Sequence, residues 1–229
     1  AQSRLEGQVA RDGTARAKLV SRIIKVLHKK SWNVHGRMHA VWILAHLGPG
    51  IRPGVMMPAL INVARTDPDV RVRVQAIRAI ADLADPVLTG DRLDARPDEK
   101  TMTSHLLGEL GRKADPRIQR EVIIATGRLR WQELPGWLAD YAGEVDPVLL
   151  HAGQQALRRS ANWPETLKLL DLPDRHPART MALRAIADRY ELTVVEGLIS
   201  RLESDSNPAH RREYAEWLTR VWRKPAAWK

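Results

Sequence analysis

Residues 67–84 read DPDVRVRVQAIRAIADLA, and this stretch decides the fold. Apolar side chains recur at intervals of three and four residues from Val70 to Leu83, a spacing typical of a helix that buries one face. Asp67 and Pro68 precede it as a start signal, because Asp accepts hydrogen bonds from free backbone N–H groups and Pro fits the first helical turn. The stretch therefore predicts an amphipathic helix capped by Asp67.

The same pattern returns along the chain. Residues 31–48, SWNVHGRMHAVWILAHLG, align with 67–84 without a gap, and residues 179–188, RTMALRAIAD, closely follow residues 73–82. Between pairs of apolar-periodic segments, prolines preceded by Asp, His or Asn stand at 68, 116, 147, 177 and 208, at intervals of 48, 31, 30 and 31 residues. A nearly fixed period of this size indicates stacked helical repeats.

Each repeat predicts a helical hairpin, in which helix A, a tight turn and helix B follow one another. The predicted fold class is therefore all-α, a right-handed α-solenoid of about six antiparallel helical hairpins, with residues 1–229 forming a single array. Residues 85–100 break the period and predict an exposed insertion loop. The predicted A and B helices span 14–29 and 34–47, 53–64 and 69–84, 101–113 and 117–129, 134–143 and 148–160, 164–171 and 178–190, and 192–203 and 209–222.

The pattern of residues 67–83 resembles the HEAT repeat, in its short bacterial form and in the PBS-lyase-like HEAT family. This resemblance implies a HEAT-like superhelix that serves as a scaffold. The segments 35–44 and 217–228 also look like the HEAT section of planctomycete-type secreted proteins, which join a dehydrogenase-like β-propeller to a c-type haem module. That likeness implies a spacer or docking arm between modules, but the chain has no Cys, so neither the haem site nor a propeller active site maps onto its residues.

The composition excludes several classes of chemistry. Without Cys there are no disulfides, thiolate metal sites or thiol nucleophiles. Nucleophile-elbow, phosphate-loop and His-Glu-x-x-His motifs are absent from the sequence. We therefore expect no catalytic, cofactor-binding or metal-binding residues. The chain begins at Ala1 rather than Met, which suggests a piece of a longer protein and leaves the compartment open.

His35 and His39 are four residues apart, a spacing that places two imidazoles on one helical face. Asp and Glu are absent between Gly13 and Asp67, so a third, carboxylate ligand is missing nearby. Solvated histidines are therefore the favoured interpretation. The pairs Asp67/Asp69 and Asp171/Asp174 lie at predicted turns, where helix capping accounts for them better than acid–base chemistry.

A net charge of +10 makes an anionic partner a reasonable expectation. The alternative is that an Arg-rich solenoid merely solvates a large surface, with its Trp side chains in the core between repeats. Lys18, Arg22, Lys25 and Lys29 recur at helical spacing and form one row. Together with Trp residues such a row can contact phosphates and stack on bases. The candidate partner-binding residues are Lys18, Arg22, Lys25, Lys29, Arg37, Trp42, Arg73, Arg78, Arg211 and Arg212.

Two functional hypotheses follow. The leading one is a non-enzymatic scaffold or spacer that binds a protein partner or a neighbouring domain, with weak binding of polyanions. The alternative is a nucleic-acid-binding HEAT-like protein such as an alkylpurine DNA glycosylase, which needs a Trp and an Asp converging with Arg or Lys. Trp131, Trp137 and Trp163 fall near the starts of A helices, where large rings fill the junctions between hairpins, and most of them are expected in the core.

Overall fold

The computed structural model describes residues 13–29, 31–47, 53–90, 102–112, 114–141, 146–187 and 189–221. Within these ranges the chain contains thirteen α-helices, one short 3-10 helix and no strand. The predicted all-helical class is therefore confirmed. Contacts divide the chain into two compact units, Ala1–Leu129 and Arg130–Lys229.

The first unit is built from hairpins whose second helices lie side by side. Its helices are α1 Gly13–Lys29, α2 Val34–Leu47, α3 Pro53–Thr66, α4 Val70–Ala84, α5 Pro86–Gly90, α6 Met102–Gly111 and α7 Pro116–Arg128. Helix α1 packs on α2, α3 on α4 and α6 on α7, while α4 also contacts both α2 and α7. This pairing is the one expected when neighbouring hairpins stack.

The second unit contains six further helices. They are α8 Leu134–Ala139, α9 Pro147–Ser160, α10 Trp163–Lys168 with the 3-10 turn Leu169–Asp171, α11 Pro177–Ile186, α12 Leu192–Ser204 and α13 Pro208–Val221. Helix α8 packs on α9 and α12 on α13, while α9 contacts α11 and α10 contacts α12. This unit repeats the pairing of the first, although α8 and α10 have only six residues each.

Four B helices begin at the prolines that set the period. Their caps are Asp115, Asp146, His176 and Asn207. Each cap side chain accepts a hydrogen bond from the backbone N–H two residues ahead, at 2.8, 2.8, 3.2 and 2.9 Å in that order. These bonds satisfy N–H groups that have no partner within the helix. The predicted turn chemistry is confirmed at these positions, and it holds for His176, whose ring nitrogen replaces a carboxylate.

Asp67 does not cap α4, which corrects the prediction. The cap is Asp69, whose carboxylate accepts from the Arg71 backbone N–H at 2.9 Å. Hydrogen bonds from the Arg71 side chain and backbone lower the pKa of Asp69 to about 2. Asp67 is instead buried, where it accepts two bonds from Arg37 and one from the Asp69 backbone N–H. The helix therefore starts two residues later than the Asp-Pro pattern indicates.

Polar contacts between hairpins recur at the sequence period. Arg37 binds Asp67 and Arg201 binds Asp171, and each pair is 30 residues apart. Within a hairpin, the Nε atom of Arg73 donates to the carbonyl of Ala64, and that of Arg179 donates to the carbonyl of Leu170, both nine residues back. Arg73 and Arg179, which align in the repeat, thus make equivalent bonds within their hairpins.

The core is made of small and medium apolar side chains. Ala40, Ala76 and Ala182 are fully buried along the B helices, which permits close helix packing. Gly153 on α9 faces Met181 on α11, and a Cβ atom there would lie 2.8 Å from Met181 Cγ. Trp137 and Trp163 are each 7% exposed, so their predicted core positions are confirmed.

Several boundaries differ from the prediction. Residues 86–90 of the expected loop form the short helix α5, which Asp85 begins by accepting from the Val87 backbone N–H, while residues 91–101 lie outside the described residues. Helix α11 ends at Ile186 rather than at 190. Helix α3 continues through Pro58. The single array of residues 1–229 stays a prediction.

Candidate binding surface

The positive charge of the chain is concentrated in one segment. Residues 13–66 contain nine Lys and Arg and no Asp or Glu, whereas the other residues contain 28 Lys and Arg and 27 Asp and Glu. Almost the whole net charge of +10 therefore belongs to the first hairpin and the helix after it. A high Arg content throughout the chain does not explain this distribution, because the rest of the chain has almost no net charge.

Helix α1 divides into a buried face and a cationic face. Val20, Ile23 and Leu27 are at most 4% exposed and pack toward the core. On the opposite side lies the cationic row, whose members are all exposed, and none forms an ion pair with a described residue. At 1.5 Å per residue the row is about 16 Å long. Its members are Lys18, Arg22, Lys25 and Lys29.

Helix α2 carries a second exposed row, which is aromatic. Trp32, just before the helix, is 44% exposed, and Trp42 is 41% exposed. The exposed histidines are interleaved with these rings, and Trp42 lies 4.7 Å from His46 between ring centroids. The interpretation that places these two Trp rings in the core is therefore wrong. The members of the aromatic row are Trp32, His35, His39, Trp42 and His46.

Arg37 is withdrawn as a surface candidate, because it lies in the core. Its side chain is 7% exposed and makes bonds of 2.8 and 3.0 Å to Asp67, whose side chain is 2% exposed. A further bond of 2.7 Å reaches the Trp32 carbonyl. The hydrogen bond that Arg37 donates to Asp67 raises the pKa of Arg37 against the opposing effect of burial. Arg37 therefore links two hairpins and also binds the backbone at Trp32.

The other candidates divide between structural and exposed positions. Arg73 is half-buried and bonds the Ala64 carbonyl at 2.8 Å. Arg78 is 48% exposed but pairs with the buried Glu121 at 2.7 Å, and this hydrogen bond raises the pKa of Arg78. Arg211 and Arg212 are exposed on α13, in the second unit. Of the exposed candidates, Trp42 and the cationic row thus belong to the same hairpin but lie on different helices.

The hairpin that carries the exposed Trp rings lacks the carboxylate that a glycosylase would need. Residues 13–66 lack Asp and Glu, and the next carboxylate, Asp67, is paired with Arg37.

In the ranges that the structure describes, no three His, Asp or Glu side chains are grouped so that they could hold a metal ion. No described helix is long and apolar enough to cross a membrane.

Comparisons with known proteins add no assignment: no protein-family model matches the chain, and no curated protein matches it. The surface must therefore be interpreted from its own chemistry.

The aromatic row is the feature that sequence analysis missed. Sequence analysis names Trp42 as a binding candidate and treats His35 and His39 as a separate pair, without joining them in one row. The row's spacing of 3, 4, 3 and 4 residues from 32 to 46 is itself a helical stripe. Because such a stripe is equally typical of a buried face, the pattern alone does not separate the two cases.

Proposed function

We propose that this protein is a non-enzymatic HEAT-type helical-repeat module that binds an anionic macromolecule, or an acidic face of a neighbouring domain, through its first hairpin. The proposal rests on four exposed cations that lie within residues 13–66, a segment of 54 residues that contains no Asp or Glu. Anions approaching this surface meet no compensating negative charge on the same helices. Summed fields of one sign raise both the rate and the strength of association.

The repeat architecture supports the scaffold part of the proposal. Hairpins with capped turns, B helices side by side, and polar bonds one repeat period apart are what a right-handed HEAT-like solenoid requires. Such arrays present extended surfaces built from rigid helices rather than closed pockets. The first hairpin carries its exposed cations on helices that contain no Asp or Glu.

The test measures binding of heparin, a generic polyanion, over a range of salt concentrations. We expect affinity to fall steeply with salt, because exposed charges are screened over about 8 Å at physiological ionic strength. Replacing the cationic row with Gln should weaken binding and flatten the log–log salt slope by about three, if each cation contributes the roughly 0.7–0.9 typical of phosphate contacts.

A matched control removes the same charge elsewhere. The control cations are exposed and lie outside residues 13–66, so their replacement lowers the net charge equally. If the control quadruple variant loses as much affinity as the row variant, overall charge governs binding and the proposed surface is wrong. The control set is Arg117, Arg159, Arg175 and Arg184, each changed to Gln.

A further inference from the structure

The face of α1 that carries the cationic row lies on the outside of the first hairpin. On the other side of α1, Arg16 donates to the Leu47 carbonyl at the end of α2, at 2.6 Å. Val20, Ile23 and Leu27 share that side of the helix and are at most 4% exposed. At about 3.6 residues per turn, the cationic row lies roughly opposite to them. The row therefore faces away from α2, and a ligand that lies along it meets the chemistry of α1.

We infer that the cationic row binds the phosphate backbone of a nucleic-acid duplex without reading its sequence. The inference rests on the proposed function and names its partner. Its grounds are the composition of the exposed face of α1 and the straight, uncompensated line of charge that this face presents.

The exposed face of α1 consists of charged, polar and small side chains. None of the large apolar side chains that the described residues expose lies on this helix. Three of the four cations in the row are Lys. Protein interfaces are depleted in Lys and depend on aromatic or Arg anchors, so this face suits a hydrated polyanion better than an acidic protein. The exposed residues beside the row are Thr14, Ala17, Ser21 and His28.

An anionic membrane matches the apolar side of α1 poorly. A helix that lies in a membrane surface inserts its apolar face among the lipids. On α1 that face is already buried against the protein, so only the charges remain for the membrane. Attraction by a few charges alone gives a weak adsorption that salt screens.

The row matches a duplex in shape and in charge. It is a straight line of four cations about 16 Å long on a rigid helix. A duplex carries one negative charge per roughly 1.7 Å of axis, so about nine phosphates lie within that length, whereas a stacked single strand carries half as many. A duplex is also stiff over about 150 base pairs, so it does not have to be straightened to lie along the row. Release of its condensed counterions therefore favours the duplex over a single strand or an acidic polypeptide.

The row also holds like charges close together. Lys18 and Arg22 are four residues apart, as are Lys25 and Lys29, and like charges at this spacing destabilise a helix. No Asp or Glu on α1 compensates for them. A phosphate backbone along the row removes this repulsion. The flexible stems of the Lys side chains also allow their ammonium groups to follow a curved backbone.

The experiment measures binding of the full 229-residue chain to a labelled DNA duplex of about twelve base pairs over a range of salt concentrations. The comparison probes are one strand of that duplex, a second duplex of unrelated sequence, polyglutamate, and vesicles of phosphatidylserine. We expect the first duplex to bind about tenfold more tightly than its single strand, polyglutamate or the vesicles. The two duplexes should differ by less than about twofold, because phosphate contacts carry no sequence information. With four phosphates neutralised, the log–log salt slope should be about −3.6.

Variants then place the contact on α1. Lys25→Gln, in the middle of the row, should weaken duplex binding and flatten the salt slope by about 0.9, whereas Lys25→Arg should leave the slope unchanged. Arg159→Gln removes the same charge from an exposed position in the second unit and is the matched control. Trp42→Leu on α2 should leave duplex affinity unchanged, because the row faces away from that helix. A circular dichroism spectrum and a melting curve check that each variant folds.

The outcomes separate the inference from the proposed function. Equal or tighter binding of the single strand would exclude the duplex as the preferred partner, and tighter binding of polyglutamate or of the vesicles would indicate an acidic protein or a membrane instead. Either result overturns the inference, while the proposed function holds if the chain binds heparin. Equal flattening of the slope by Lys25→Gln and Arg159→Gln would place the duplex elsewhere on the chain and also overturn the inference. Absence of heparin binding by the wild-type chain would overturn the proposed function itself.

Discussion

The cationic row of α1 and one repeated arginine position of the B helices have opposite roles. On α1, Lys18, Arg22, Lys25 and Lys29 face solvent without a carboxylate on the same helix. On the B helices, the equivalent positions Arg37, Arg73 and Arg179 point inward and bond carbonyls or carboxylates of the same or the next hairpin. The chain therefore contains structural cations and surface cations, and position in the repeat distinguishes them.

This difference shows why net charge alone says little about binding. Arg158 illustrates the structural group, since its guanidinium donates to the carbonyls of Arg184, Ala185 and Ala187 at the end of the next B helix. A cation of this kind closes a helix terminus and replaces bonds that the last turn lacks. Only cations outside such contacts contribute to a surface that can bind a partner.

The largest expected effect comes from breaking a structural cation. Arg37→Ala should lower the free energy of unfolding by about 3–5 kcal/mol, because Asp67 would remain buried and charged without its partner. Lys25→Ala on α1 should change it by less than about 0.5 kcal/mol, as is usual for an exposed residue without partners. Chemical denaturation of both variants measures the two values. Equal destabilisation by the two changes would erase the distinction between the classes of cation.

The second effect tests how closely the hairpins of the second unit pack. Gly153→Ala should destabilise the protein by about 1–3 kcal/mol relative to Gly136→Ala, since the new methyl group at 153 meets Met181, whereas no atom lies within 4 Å of a Cβ at 136. Gly136→Ala alone should stabilise α8 by roughly 0.5–1 kcal/mol, because Ala is the better helix former. Differential scanning calorimetry gives both shifts. A stabilising Gly153→Ala would show that α9 and α11 are less tightly packed than described.

The third effect separates a cap from a buried ion pair. Asp115→Ala should cost about 0.5–2 kcal/mol, the usual contribution of an N-cap. Asp67→Ala should cost more, because it removes two buried bonds to Arg37 rather than a cap. Equilibrium unfolding in urea ranks the two variants. The reverse ranking would restore Asp67 to the capping role that the sequence pattern indicates.

The period of the sequence predicted where helices begin better than where they end. Helices α7, α9, α11 and α13 start at Pro116, Pro147, Pro177 and Pro208, each within one residue of the prediction. A proline with a capping neighbour acts locally, so the chemistry is visible in the sequence. Helix ends depend on tertiary contacts; α11, for example, stops at Ile186, where Arg158 of the neighbouring hairpin binds its last carbonyls.

The roles of Asp67 and Arg37 could not be derived in the same way. Asp67-Pro68 has the same local pattern as Asp115-Pro116, yet the first Asp is buried and the second is exposed. The difference arises from Arg37, which lies 30 residues earlier and reaches Asp67 only when the hairpins stack. The exposure of the aromatic row also depends on how the hairpins stack, because the spacing of its residues fits a buried and an exposed face equally.

The smallest expected effect is a dependence of stability on pH in the second unit. His210 on α13 lies between two carboxylates, at 2.7 Å from Asp174 and 3.1 Å from Asp205, while Tyr214 donates to Asp205 at 3.3 Å. The hydrogen bond with Asp174, aided by Asp205, raises the pKa of His210, although burial and the nearby Arg179 act in the opposite direction. The pKa of Asp205 is lowered, first by the Asn207 backbone N–H and also by His210.

The sign of the effect follows from these directions. A His whose pKa is raised by folding contributes stability that is complete below its ordinary pKa of 6.5 and disappears as pH rises through the raised value. The difference in unfolding free energy between the wild type and His210→Gln should therefore be largest near pH 5.5 to 6 and shrink as the solution becomes alkaline. His151→Gln, at an exposed position on α9, is the matched control. Melting curves of the three proteins across this range provide the measurement, and a difference that grows with pH would mean that neutral His210 is the form bound between Asp174 and Asp205.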